Sequence, residues 1–122
     1  NLIKFEKTIK HRKLINDIYR NELYRCGNIT FQEINKGSNC SYFPIILDNE
    51  SNCLKIIELL SNHNIYPIRY FNPSLNKIKV ISSHQKCPVS ESISSRILCL
   101  PSHDNVKIND AKFISDLISK SI

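Results

Sequence analysis

The chain has 122 residues, of which 41% are hydrophobic and 23% charged, and it carries a formal net charge of +6. This composition is typical of a globular protein and excludes a disordered one, and no apolar run approaches the roughly 20 residues that a membrane-spanning helix needs. We therefore expect a single domain over residues 1–122, with no membrane partner and, because no secretory signal is visible, in the cytoplasm.

The longest periodic segment comes first in the chain. Its apolar residues recur close to the helical period, with charges between them: Leu2, Phe5, Ile9, Ile15, Tyr19 and Leu23. This spacing predicts a long helix over about 2–25, with Gly27 as its stop signal. A helix of about 23 residues is roughly 35 Å long, which is longer than so small a domain needs.

A strand and a helix follow. Ile29–Ile34 is β-prone but irregular, whereas the near-continuous apolar run Tyr42–Leu47 predicts a central strand. Pro44 argues instead for an edge position or a strand start, and both alternatives remain open. Asp48 or Asn49 then caps a helix that runs to about residue 62, with one face made by four residues: Cys53, Ile56, Ile57 and Leu60.

The predicted elements in the second half of the chain are shorter and are separated by loops. We expect a strand over Ile65–Tyr70, a loop fixed by Pro73, and either a loop or a short edge strand over Lys77–Ser82. A short helix then begins at Pro88, and its apolar stripe is formed by three residues: Val89, Ile93 and Ile97.

The chain ends with a strand and a helix. The run Ile97–Leu100 is too short for a helix and fits a strand buried on both faces. Asn109 is the predicted cap of the last helix, whose apolar face contains Ala111, Ile114, Leu117, Ile118 and Ile122. Helices and strands alternate, so the fold class is α/β (α+β): a small mixed β-sheet with helices packed on one side, preceded by the long N-terminal helix.

Several stretches of the chain carry a family resemblance. Two motifs lie in the second half of the chain: R-Y-F-N-P-S-L, which begins at Arg69, and C-P-V-S-E-S-I-S-S-R-I-L-C-L-P, which begins at Cys87. Two more precede them in the same order as in the family: H-R-K-L-I-N-D-I-Y-R-N-E-L and Y-F-P-I-I-L-D. Together these motifs resemble the C-terminal part of the DegT/DnrJ/EryC1/StrS aminotransferases. Members of that family are pyridoxal-phosphate (PLP) enzymes that aminate keto sugars, usually nucleotide-linked ones.

The resemblance implies a fold and a role. It identifies the chain as the small C-terminal domain of a fold-type I aminotransferase, with a linking helix over about 2–25 and a small α/β domain over about 28–122. Part of the apolar face of the linking helix should then be exposed. The chain has no Met, which agrees with our expectation that it is a piece of a longer protein.

The resemblance also assigns functional residues. It implies that Arg69, Tyr70, Phe71 and Asn72 line the active-site cleft and bind the substrate, with Ser74 as a further candidate. It implies no catalytic, cofactor-binding or metal-binding residue here, because the Schiff-base lysine and the PLP site lie in the N-terminal domain. The implied partners are that PLP domain, a second subunit of a homodimer, a nucleotide-linked keto sugar and an amino donor, and the chain alone should be inactive.

Alternatives of other classes remain. The domain could be a free-standing interaction or binding module, and the net charge could suggest a nucleic-acid binder, although the basic residues form no cluster and no nucleic-acid motif appears. His84, Cys87, Cys99 and His103 have a spacing superficially like that of a zinc site, but Cys99 lies within a predicted buried strand. We therefore expect neither nucleic acid nor metal.

Overall fold

The computed structural model describes residues 2–32, 42–69 and 87–122. The elements in these ranges are α1 (Leu2–Leu23), β1 (Ile29–Phe31), β2 (Phe43–Leu47), α2 (Glu50–Ser61), α3 (Pro88–Arg96), β3 (Ile97–Leu100) and α4 (Ile108–Ser121). The three strands form one sheet in the order β1-β2-β3. Both pairings are antiparallel, so the described part of the predicted mixed sheet has antiparallel neighbours throughout. The α/β (α+β) class is confirmed.

One face of the sheet carries the core. Because directly paired residues point to the same side of a sheet, the register of Phe43 with Leu100 and of Ile45 with Leu98 places these four side chains on one face. All four are buried in one cluster with residues of α1, α2 and α4. The helices therefore cover this face, as predicted, and each fully buried Leu or Ile contributes about 1.5–3 kcal/mol.

The first helix has a buried half and an exposed half. Ile15, Tyr19 and Leu23 are buried in the core, and Tyr19 stacks on Phe43 with 5.2 Å between the ring centroids. Towards the N-terminus Leu2, Ile3 and Phe5 are 73%, 64% and 57% exposed. The predicted exposure of part of this apolar face is confirmed.

Pro44 lies in the central strand, and the register explains why it is tolerated there. It pairs with Cys99, whose own N–H and C=O both bond to Ile68 and so point away from β2. Pro44 therefore directs its backbone nitrogen towards β1, beyond the last paired residue, Phe31. Continued pairing would have placed Gln32 there; instead, the Gln32 carbonyl accepts a hydrogen bond from Arg20 Nη2 at 3.4 Å.

The helix starts follow ordinary capping chemistry. Asn49 caps α2 by accepting a hydrogen bond from the Asn52 N–H at 2.8 Å, as predicted. The predicted cap of α4 at Asn109 is wrong by two residues. The cap is Lys107, and its N–H donates to Asp110 Oδ2 at 2.9 Å, which is one half of a capping box.

Two further sequence predictions fail in the second half of the chain. Within 65–69 only Ile68 pairs, through an isolated bridge with Cys99. Continued pairing would place Tyr66 opposite Pro101, which has no N–H to donate; Tyr70 lies outside the described residues. The predicted stripe of α3 is also wrong, since Val89 is 72% exposed and Ser94 is the buried residue of this helix. The helix contacts α2 and β2.

Apart from the cap of α4, the burial of the last two elements matches the prediction. Leu98, Cys99 and Leu100 are all buried in β3, and Ala111, Ile114 and Ile118 form the buried face of α4. The predicted segment Lys77–Ser82 lies outside the described residues.

Candidate functional site

The predicted substrate segment, residues 69–72, begins at the open edge of β3. The backbone of Ile68 exchanges two hydrogen bonds with Cys99, of 3.2 Å and 2.8 Å, on the opposite side of β3 from β2. Arg69 is the next residue. Tyr70, Phe71, Asn72 and Ser74 lie outside the described residues.

The Arg69 side chain is directed at the helices. Its Nη2 donates to the carbonyl oxygen of Ser95 at 2.8 Å and lies 3.5 Å from Glu50 Oε2. The side chain of Arg69 is 22% exposed and that of Glu50 is 53% exposed. Arg69 Nε is buried and has no hydrogen-bond partner within the described ranges. One guanidinium thus joins the edge of the sheet to the end of α3 and the start of α2.

The same guanidinium lies close enough to Cys53 to affect its thiol. Burial raises the pKa of the Cys53 thiol, and Arg69 opposes this change while Glu50 reinforces it. The thiol faces the Ile97 carbonyl oxygen, 3.8 Å from Sγ. A buried thiol with a raised pKa stays protonated near neutral pH, so Cys53 serves as a core residue and not as a nucleophile.

A groove runs along the other side of this edge. It has a volume of about 560 Å³ and is lined by side chains of the 64–68 segment, the β3–α4 loop and α4, including Tyr66, Ile68, His103 and Phe113. Most of the lining is apolar. Two of its polar groups already have structural partners: Asp110 accepts from the Lys107 N–H, and His103 Nδ1 accepts from the Asn105 N–H. The groove offers shape and apolar contact more than acid–base chemistry.

The loop between β3 and α4 is held by α1. The Tyr19 hydroxyl donates to the Pro101 carbonyl oxygen at 2.6 Å, and His11 Nε2 lies 2.6 Å from the Val106 carbonyl oxygen. Burial, with a smaller contribution from the Asp110 charge, raises the pKa of Tyr19. The phenol is therefore neutral over the ordinary pH range, and it acts as a fixed donor.

The residues of the zinc-like pattern have separate positions in the fold. Cys87 precedes α3 as its N-cap, Cys99 is buried in β3, and His84 lies outside the described residues. Within 2–32, 42–69 and 87–122, no three His, Cys, Asp or Glu side chains are grouped to hold a metal ion. None of the helices described is long and apolar enough to cross a membrane.

Sequence reasoning missed the contacts of Arg69 with Ser95 and Glu50. The signal available was the alternation of side chains in extended chain, which places Ile68 and Arg69 on opposite sides of the edge. Ile68 lines the groove, so Arg69 is expected on the helix side, where the structure places it. The identity of its partners could not be read from the sequence, because they come from two other elements.

Comparison with known proteins gives a consistent result. The sequence model of the DegT/DnrJ/EryC1/StrS aminotransferase family matches residues 1–119. A dTDP-4-amino-4,6-dideoxy-D-glucose transaminase of Escherichia coli is 34% identical over 105 residues, which are 79% of this chain and 28% of that enzyme. The chain therefore spans less than a third of the length of this relative.

Solved structures share the fold. The aminotransferase TlmJ from Streptoalloteichus hindustanus superimposes with a TM-score of 0.88 at 16% identity, covering 98% of this chain and 33% of that one. Helicobacter pylori PseC, an aminotransferase involved in the biosynthesis of pseudoaminic acid, gives a TM-score of 0.86 at 17% identity, covering 98% of this chain and 34% of that one.

Proposed function

The chain belongs to the DegT/DnrJ/EryC1/StrS aminotransferase family, and from this membership we propose that it is the smaller, substrate-contacting domain of a PLP-dependent aminotransferase acting on a nucleotide-linked sugar. One observation carries the proposal. The family match extends over nearly the whole chain, yet the chain spans only 28% of its Escherichia coli relative. The remaining machinery of such an enzyme belongs to sequence beyond these residues.

The described lining of the groove lacks the groups that PLP needs. PLP enzymes hold the cofactor with a lysine and with groups that bind its phosphate and pyridine nitrogen. The described lining of the groove is mostly apolar and contains neither lysine nor arginine. We therefore assign the cofactor to a separate N-terminal domain and expect the chain alone to be inactive.

The first helix supports this division of labour. Its C-terminal half packs into the core, whereas Leu2, Ile3 and Phe5 project from its other end into solvent. Apolar residues exposed together in this way mark a contact surface. We propose α1 as the linking helix at 2–25, the remaining domain as 28–122, and the PLP domain, in a homodimeric enzyme, as what these side chains contact.

Substrate binding is proposed for the segment 69–72, with the direct contacts made by residues 70–72. Arg69 is the member of this segment that the structure describes, and its neighbour Ile68 lies at the rim of the groove. A nucleotide-linked sugar offers hydroxyl and phosphate oxygens, for which phenol and amide side chains such as Tyr70 and Asn72 are suitable partners.

A domain exchange tests the proposal. The 105-residue region of the Escherichia coli transaminase that matches this chain would be replaced by this chain, and amino transfer from dTDP-4-amino-4,6-dideoxy-D-glucose would be measured. We expect the chimaera to bind PLP and to turn over. Asn72→Ala should raise KM for the nucleotide sugar several-fold and leave KM for the second, amino-accepting substrate unchanged.

Two controls make the result decisive. The 122-residue chain mixed with PLP should give no turnover, and Asn62→Ala, at the exposed end of α2, should leave both KM values unchanged. A folded, PLP-loaded chimaera with no turnover would contradict the proposal. It would favour a free-standing interaction module instead.

A further inference from the structure

We propose that Arg69 is a positioning residue, which ties the open edge of the sheet at Ile68 to the helices and so fixes the start of the segment 69–72. The inference rests on the proposed role of residues 69–72 in substrate binding. It assigns Arg69 a role different from that of its neighbours: it holds the segment in place and does not itself touch the sugar nucleotide.

The edge at Ile68 needs a second point of attachment. Ile68 is joined to β3 by a single isolated bridge of two hydrogen bonds to Cys99. Continued pairing would place Tyr66 opposite Pro101, which has no N–H to donate, so the ladder does not extend into residues 65–67. An isolated pair lacks the neighbouring bonds that make a ladder cooperative, and it opens easily.

The Arg69 guanidinium supplies that attachment. Its 2.8 Å bond goes to Ser95, which lies two residues before the start of β3 at Ile97. The bond therefore connects the open edge to the beginning of the strand with which Ile68 is paired. Hydrogen bonds from a charged donor are stronger than neutral ones. Glu50, half-exposed and 3.5 Å away, is the weaker partner.

The direction of the side chain separates this role from a direct substrate contact. Ile68 faces the groove, and Arg69 faces α2 and α3 on the other side of the edge. Its guanidinium is bonded to Ser95, its Nε is buried, and the side chain is only 22% exposed. These contacts commit part of the guanidinium to the fold and leave little of the side chain exposed to a phosphate.

Amide hydrogen exchange on the 122-residue chain tests the attachment itself. In Arg69→Gln, we expect the amides of Ile68 and Cys99 to exchange at least about tenfold faster, the loss expected for one charge-assisted hydrogen bond. The Leu98 amide, within the β2–β3 ladder, should change less than about threefold, because it reports global opening. Arg69→Lys should recover part of the protection, since its ammonium can still donate to Ser95.

Arg25→Gln is the matched control. Arg25 is an exposed arginine whose described contacts are with Tyr24, and this change should leave all three amides as they are. Equal acceleration at Ile68, Cys99 and Leu98 would show that Arg69 contributes only to global stability, which would overturn the inference.

Kinetics of the chimaeric transaminase then separate positioning from direct binding. We expect Arg69→Gln to raise KM for the nucleotide sugar several-fold and Arg69→Lys to recover part of that loss. A raised KM without faster amide exchange at Ile68 would identify Arg69 as a direct ligand of the nucleotide sugar. Faster exchange with an unchanged KM would show that Arg69 is a purely structural residue. Either result overturns the inference. Failure of the proposed function would appear differently, as an unmutated chimaera that binds PLP but does not turn over.

Discussion

Removing the Tyr19 hydroxyl should weaken the attachment of the β3–α4 loop to α1. Tyr19 is fully buried, and its hydroxyl donates to the Pro101 carbonyl oxygen at 2.6 Å. Tyr19→Phe keeps the ring and its stacking on Phe43 but removes this donor. A buried acceptor that loses its partner costs about 1–3 kcal/mol. Because Pro101 is itself half-buried and water can reach it in part, we expect a loss of about 1–2 kcal/mol.

The pH dependence gives this prediction a second, independent part. Burial raises the pKa of Tyr19 above its ordinary value of 10.0, so the folded state holds the phenolic proton more tightly than the unfolded state does. The contribution to stability is therefore fully present below about pH 10 and is lost as the pH rises from there towards the folded-state pKa. Tyr19→Phe should lack this part of the alkaline loss.

Urea denaturation followed by circular dichroism would measure both effects. The midpoint should fall with an unchanged m-value at pH 7, and the difference between the two proteins should shrink above pH 10. Tyr24→Phe is the control, since Tyr24 is 61% exposed and its change should cost less than about 0.5 kcal/mol. An unchanged midpoint in Tyr19→Phe, or a difference that grows with pH, would refute the reasoning.

Three further changes probe the core, a helix cap and the exposed helix end. Leu98→Ala truncates a fully buried side chain and should lower the free energy of unfolding by about 2–5 kcal/mol. Its control, Leu54→Ala at a 48% exposed site, should lower it by less than about 1 kcal/mol. Similar losses for the two variants in urea titrations would contradict the assignment of Leu98 to the core. Asn49→Ala removes the side-chain acceptor of the Asn52 N–H and should cost about 1 kcal/mol, with Asn62→Ala, which caps through its backbone, as the near-neutral comparison. Phe5→Ser removes an exposed apolar ring and should reduce any self-association seen by light scattering, while the free energy of unfolding changes by less than about 0.5 kcal/mol. A loss of stability as large as that of Leu98→Ala would place Phe5 in the core.

The elements that sequence predicted well are those whose signals are local. The cap at Asn49 needs only its own side chain and the N–H of Asn52. The strand β3 is indicated by one short apolar run, and α4 by the spacing of apolar residues along a single helix, so neither signal depends on another element. Their burial follows because any arrangement of these elements must cover the same apolar groups.

The failures have non-local causes. The side of α3 that is buried depends on its contacts with α2 and β2. Ser94 is the buried residue of this helix, and Val89 is left in solvent although it continues the apolar period. The conflict at Pro44 could not be settled without the register, which shows where its nitrogen points. The orientation of Arg69 was available from alternation, but its partners Ser95 and Glu50 lie 26 and 19 positions away in the sequence.

The proline in the middle strand also limits how far the outer strand can grow. Beyond Phe31, continued pairing would bring β1 opposite Pro44, which has no N–H to donate. The carbonyl of Gln32 is already bonded to Arg20. The rim of the sheet on this side therefore stays three residues long. A short edge strand offers little template for another chain, so Pro44 lowers the risk of edge-to-edge aggregation at β1.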